Sequence, residues 1–201
     1  MNAKTVIGKN ILKEIQESVS KIQIPDTFEQ VVEEMLNCKG TIVTTGMGKA
    51  GIAMRKFSST LCSFGFSSTY LHPGEASHGD LGVLGEEDIL FVASTSGKTR
   101  EVVEVVDLAR NISVKKVIGI TSHLDSLIRD KSDLILDMGH VEEAGILKLA
   151  PTSSILVMSA LTDTVALTMA ECKGVDFAEY FKYHHSGYLG DIAKEKASQK
   201  K

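Results

Sequence analysis

The sequence contains no tryptophan, and aromatic residues make up only 5% of it. Too few rings are present to stack bases on a platform. The net charge of −4 does not supply a nucleic-acid surface either. Cysteine is scarce. Cys38, Cys62 and Cys172 stand far apart, without metal-ligand spacing. They read as small core residues in a reducing cytosol rather than as a disulfide framework. No secretory signal is recognised, and no apolar run reads as long enough to span a membrane, so the expected setting is cytoplasmic, with no membrane partner.

What is present is a 43% apolar fraction over 201 residues, enough for one domain with a helical extension. Ile7, Ile11, Ile15, Val19 and Ile22 repeat at helical spacing between Lys4 and Lys21, and Pro25 ends that helix. Asp26 or Thr27 is expected to cap a second helix through Phe28, Val31, Val32, Met35 and Leu36, closed by Gly40. Strands are expected at Thr41–Thr45, Ser67–Leu71, Asp88–Ala93, Lys116–Thr121 and Leu134–Asp137. Helices are expected after Gly46–Gly51, over Arg100–Arg110 and over Ser126–Asp130. Residues Gly139–Pro151 read as an irregular loop. Thr152 or Ser153 then caps a long apolar helix over Ile155–Cys172, stopped by Gly174. A short helix over Phe177–Lys182 and a frayed polar tail complete the reading. The divisions are thus 1–40, a helical extension packing on the domain; 41–192, the domain itself; and 193–201, the tail.

Strands alternating with helices imply an α/β three-layer sandwich around a five-stranded parallel sheet, with the flavodoxin-like order 2-1-3-4-5. In such a sheet the ligand crevice lies beyond the carboxyl ends of strands 1 and 3, where the order reverses. Two suggestive turns follow those strands. Ser94-Thr95-Ser96-Gly97-Lys98-Thr99 puts four hydroxyls and a lysine at a strand-to-helix junction. Free backbone N–H groups and the positive end of the helix dipole suit a dianionic phosphate there. The segment is not a Walker loop, because Val92 stands where that motif needs glycine. The other turn, Gly46-Met47-Gly48-Lys49-Ala50-Gly51, matches G-x-G-x-x-G. No acid closes strand 2 to hold a ribose, so a dinucleotide is not the first expectation. Lys49 can instead reach an anionic substrate.

Further candidates lie in loops. His72, Glu75, His78 and Asp80 are spaced closely enough to ligate a metal or to hold sugar hydroxyls. Glu101, in the first turn of its helix, is either a dipole partner or an acid–base group. Glu142, Glu143, His184 and His185 read either as solvated charges and helix-end contacts or as site residues.

Together these segments resemble the sugar isomerase (SIS) domain family, most closely its arabinose-5-phosphate isomerases. The matching stretches are Gly46–Lys49, His72–Gly82, Ser94-x-Ser96-Gly97, Ala150–Ser154 and His184-x-x-Gly187-x-Leu189-Gly190. They span roughly Val31 to Ile192. The resemblance implies interconversion of D-arabinose 5-phosphate and D-ribulose 5-phosphate without a required cofactor. Its four catalytically relevant positions fall on Lys49, Glu101, Glu143 and His184. His72 falls on a position linked with bound zinc, adventitious or inhibitory, that turnover does not need. The implied substrate-binding set is Thr45, Gly46, Gly48, His72, His78, Ser94, Thr95, Ser96, Gly97, Lys98, Thr99 and Thr152. Implied partners are a small sugar phosphate and further copies of the chain, as a homodimer or homotetramer, with His184 reaching a neighbour's site. The CBS regulatory pair that many members carry is not expected, since the sequence ends soon after Gly190. The chain departs from the family pattern at Thr95 and Lys98, at Gly145-Ile146-Leu147-Lys148 in place of Cys-Pro-Leu-Gly, and at His185-Ser186 in place of Pro-Gly. These departures leave open an isomerase of another sugar phosphate, such as a hexulose phosphate, or a non-catalytic phosphosugar-binding module.

Overall fold

The computed structural model describes residues 2–199. Its five strands are β1 (Ile42–Gly46), β2 (Ser68–Leu71), β3 (Ile89–Ala93), β4 (Lys116–Thr121) and β5 (Leu134–Asp137). They form one parallel sheet in the order β2-β1-β3-β4-β5. The pairing sets Thr45 beside Val92 and Gly46 beside Ala93, so β1 and β3 end level with each other.

Alternation along the strands builds two cores. Ile89, Phe91 and Ala93 face one layer with Ile42, Ile118, Ile120 and Leu136. Leu90 and Val92 face the other with Val43 and Val117. The first layer is covered by α2 (Phe28–Leu36), α3 (Gly48–Ser63) and α7 (Ser153–Lys173). The second is covered by α4 (Pro73–Ala76), α5 (Arg100–Asn111) and α6 (Leu127–Lys131). In α5, Val102, Val105, Val106 and Ala109 are the buried stripe expected of a helix lying on one side of a sheet. Phe57 meets Phe91 edge to face, with ring centroids 5.1 Å apart, and fixes α3 on β3.

Several boundaries differ from the sequence reading. The Thr27 hydroxyl does not cap α2 but donates to the Ile135 carbonyl. Helix α2 ends at Leu36, and Gly40 is needed for another reason: a Cβ there would sit 2.1 Å from the Asp88 carboxylate. That carboxylate takes the Thr41 and Gly85 N–H groups. The first helix, α1 (Ala3–Ser20), packs against α7 but buries no residue fully, and Ile7 and Ile11 stay exposed. Cys62 and Cys172 are exposed rather than in the core, and Cys38 is half-buried.

Helix α7 is in fact long and apolar enough to cross a membrane by length and composition. Here its Val157, Met158, Leu161, Val165, Ala166 and Met169 lie in the core. It ends at Gly174, which adopts a left-handed conformation. After α8 (Phe177–Tyr183), a further helix, α9 (Gly187–Gln199), replaces most of the expected frayed tail and buries Gly190 and Ala193. Lys200 and Lys201 lie outside the described residues.

Candidate active site

Two glycines let the backbone close in at the switch point. Gly51 brings the first turn of α3 onto the end of β1. A Cβ there would lie 2.3 Å from the Gly46 carbonyl oxygen and 2.6 Å from the Tyr70 hydroxyl, which donates to that same carbonyl. Gly97 has φ +65°, and a Cβ on it would meet the Ser126 hydroxyl at 1.7 Å. Between these two turns lies a cleft of about 460 Å³. Lys49, Ser94, Thr95, Ser96, Thr99 and His123 line it, together with Glu143, Lys148, Pro151 and Ser154. A larger cleft of about 540 Å³ lies beside Pro25, Arg129 and Asp137, and none of the expected site residues faces it.

The Ser94–Thr99 turn is preorganised. The Ser94 hydroxyl accepts the Gly97 N–H at 3.1 Å and pairs with the Thr99 hydroxyl at 2.9 Å. The Ser96 hydroxyl accepts the Lys98 N–H at 3.3 Å. Thr99 precedes α5, but its hydroxyl does not cap the helix. The start of α5 therefore keeps donor capacity for an anion.

Glu143 forms the opposite wall. One carboxylate oxygen accepts the Thr152 N–H at 2.8 Å, the Thr152 hydroxyl at 3.2 Å and the Ser154 N–H at 3.2 Å. The other oxygen accepts the Ser154 hydroxyl. The carboxylate so caps α7, which Thr152 itself does not. Partial burial pushes its pKa up, but the Ser154 and Thr152 donors outweigh burial and hold it below the usual value.

Other expected residues lie apart from this cleft. Lys98 turns away and pairs with Asp125. Glu101 is half-exposed with Arg100 4.0 Å away, outside the cleft lining. Thr45 is fully buried in β1, and its hydroxyl finds no partner. Gly46, Gly97 and Thr152 shape the walls through backbone and capping contacts without lining the cleft. His72 and Gly48 line a second, smaller cleft with Arg55 and Tyr70. The His72 Nδ1 accepts the Gly74 N–H and caps α4. His78 is exposed in the next loop. His72, Glu75, His78 and Asp80 do not converge. Among the described residues no group of three or more His, Cys, Asp or Glu side chains could hold a metal.

His184 also lies away from the cleft. It ends α8 and stacks on Tyr180, with centroids 4.8 Å apart. Tyr180 meets Phe64, and a Cβ on Gly65 would touch Tyr183. Helix α8 thus sits at the carboxyl end of α3, whereas Lys49 lies at its start. Sixteen residues of helix separate the two ends, a span on the order of 20 Å.

The SIS domain pattern matches residues 35–168. The chain belongs to the SIS domain family. It is 36% identical over 168 residues to the arabinose 5-phosphate isomerase KdsD of Pseudomonas aeruginosa, covering 84% of this chain and 51% of that protein. The chain spans 51–59% of the length of the curated relatives it matches. A Bacteroides fragilis structure, described as a candidate phosphosugar isomerase involved in capsule formation, superposes with a TM-score of 0.85 at 40% identity. The match covers 90% of this chain and 96% of that one. An E. coli CFT073 structure in complex with arabinose 5-phosphate superposes with a TM-score of 0.86 at 30% identity, covering 92% and 100%.

Among the cleft-lining residues of this SIS domain not picked out from sequence as site residues, two carry ionisable side chains. His123 follows β4 and faces the cleft, its Nδ1 3.0 Å from the Thr95 carbonyl oxygen. No motif surrounds it. The only signal was its place just past the carboxyl end of a strand beside the switch point. Lys148 also lines the cleft, and among the described residues it is one of two non-glycine positions with positive φ, at +51°.

Proposed function

We propose that the chain is a sugar-phosphate aldose–ketose isomerase, interconverting D-arabinose 5-phosphate and D-ribulose 5-phosphate through an enediol. The observation that carries this reading is the one cleft that joins a hydroxyl-rich turn at a helix start to a lysine and a carboxylate. The relative with arabinose 5-phosphate bound and the arabinose 5-phosphate isomerase name of the Pseudomonas relative support the substrate. The phosphate takes the Ser94–Thr99 turn and the start of α5. Lys49 stabilises the enolate oxygen as charge develops on it. Glu143 moves the proton between C1 and C2. Its position on the cleft wall supports it over Glu101.

His184 acts in ring opening or in the oxygen-to-oxygen proton relay, delivered by a neighbouring copy. Its separation from Lys49 along α3 supports that arrangement. So do the bare apolar residues Ile7 and Leu12 on α1 and Leu156 and Leu167 on α7. The test is a panel of pentose and hexose phosphates, scored for turnover and for thermal stabilisation. Turnover of the arabinose–ribulose pair is expected. Turnover of a hexulose phosphate alone would change the substrate. Stabilisation without turnover of any of them would make the domain a binding module.

A further inference from the structure

Helix α1 reaches the Glu143 loop across more than a hundred residues of sequence. On its half-buried face, Glu14, Ile15, Ser18 and Val19 point toward the domain. One oxygen of the Glu14 carboxylate accepts the Gly145 N–H at 2.9 Å and meets the Lys148 ammonium at 3.0 Å. The Ser18 hydroxyl shares its one proton between the Glu14 carbonyl of its own helix at 3.2 Å and the Glu142 carbonyl at 3.3 Å. These contacts bracket Glu143 on both sides in sequence. Around Glu143 the loop is also held by that carboxylate's bonds to Thr152 and Ser154 and by the Ala144 N–H on the Thr152 hydroxyl, but the stretch that follows packs on little. Ile146 is 99% exposed, and Leu147 and Leu149 are 73% and 76% exposed. Lys148 holds a left-handed backbone that residues other than glycine rarely adopt. A position of that kind persists where its surroundings fix it, and such positions cluster at functional sites.

We propose that Glu14 is a positioning residue for the reaction, bracing the Glu143 loop and pairing the ammonium of Lys148, which itself lines the cleft. The inference rests on the isomerase reading. Glu14 does not line the cleft, so it acts through its two partners. Without it the Lys148 ammonium would be an unpaired cation on the same wall as Glu143, with that carboxylate the nearest partner of opposite charge on the wall. Both losses mis-aim the proton-transfer group and leave the phosphate turn intact.

Glu14→Gln keeps the shape of the side chain and removes its charge. We expect kcat to fall about tenfold, since small misplacements of a reacting group are expensive in rate, with KM changed less than about twofold. Trypsin cleavage after Lys148 and amide exchange at Gly145 should both become faster, because the loop opens locally. The double variant Glu14→Gln/Lys148→Gly removes the stray cation and the left-handed lysine together, so its kcat should exceed that of Glu14→Gln alone. A role confined to fold stability would lower the melting temperature and leave kcat of the folded protein and the double-variant rescue unmoved; that result overturns the proposal. Wild-type protein that turns over no sugar phosphate would sink the isomerase reading and the positioning role with it. Wild-type turnover with an unchanged Glu14→Gln would sink the positioning role alone.

Discussion

Glu143 holds Ser154 twice, taking its N–H with one carboxylate oxygen and its hydroxyl with the other. The same carboxylate is therefore the N-terminal cap of α7 and part of the cleft wall. Removing its charge has two separable consequences. The expected loss for a general acid–base group is about 10²–10⁴-fold in kcat. The expected loss of a cap is about 1 kcal/mol of stability. Glu143→Gln should show both, and should still gain thermal stability from a bound sugar phosphate. A variant that melts earlier but turns over at the wild-type rate would leave Glu143 a cap alone.

The lowered pKa of Glu143 gives a pH dependence with a definite sign. Its folded value lies below the unfolded one, near about 4.3 for glutamate. The stabilisation by the cap is then fully present above that unfolded value and is lost as pH falls through the folded one. As pH falls below the unfolded value the wild type should lose stability more steeply than Glu143→Gln, which lacks the titrating group. Parallel stability curves for the two proteins in acid would contradict the assigned hydrogen bonds.

Within the Ser94–Thr99 turn, where we propose that the phosphate binds, the hydroxyls divide by role. Ser94 spends its hydroxyl on Gly97 N–H and Thr99, and it is 3% exposed. Ser96 faces the cleft, with its hydroxyl bonded only weakly to Lys98 N–H. Hydrogen bonds to charged groups contribute about 1.5–3 kcal/mol, so Ser96→Ala should weaken binding of the best sugar phosphate by about 10–100-fold with little change in melting temperature. Ser94→Ala should lower both. Calorimetric titration of the two variants separates them, and equal affinities for Ser96→Ala and wild type would move the phosphate elsewhere.

The sheet was legible because buried parallel strands carry an apolar run bounded by turns, and the ends of β4 and β5 fall where the periodicity put them. The order of strands located the cleft before any side chain was placed. What escaped is what depends on partners remote in sequence. Lys98 read as a ligand group because nothing near it announced Asp125, 27 residues on. Gly40 read as a helix stop because its contact with Asp88 joins two separate turns. Glu143 read as an acid–base candidate or a surface charge, and its capping of Ser154 eleven residues later was invisible. His123 has no motif at all, and only the fold turns it toward Thr95.

The placement of His184 at the far end of α3 yields the most demanding prediction. If a neighbour supplies it, each complete site needs Lys49 and Glu143 from one chain and His184 from another. Lys49→Met and His184→Ala should then each be nearly inactive as separate preparations. Mixed under conditions that exchange subunits, they should regain activity. In a symmetric pair, half of the randomly formed dimers are hybrids, and each hybrid holds one intact site of two, so about a quarter of the wild-type activity should return. A folding defect in either variant would not be mended by mixing, and circular dichroism of each alone checks for it. Light scattering at micromolar concentration gives the independent reading, with a dimer or larger assembly expected. A monomer that turns over the substrate, or hybrids that stay inactive although subunits exchange, would return His184 to the role of a helix-end histidine stacked on Tyr180.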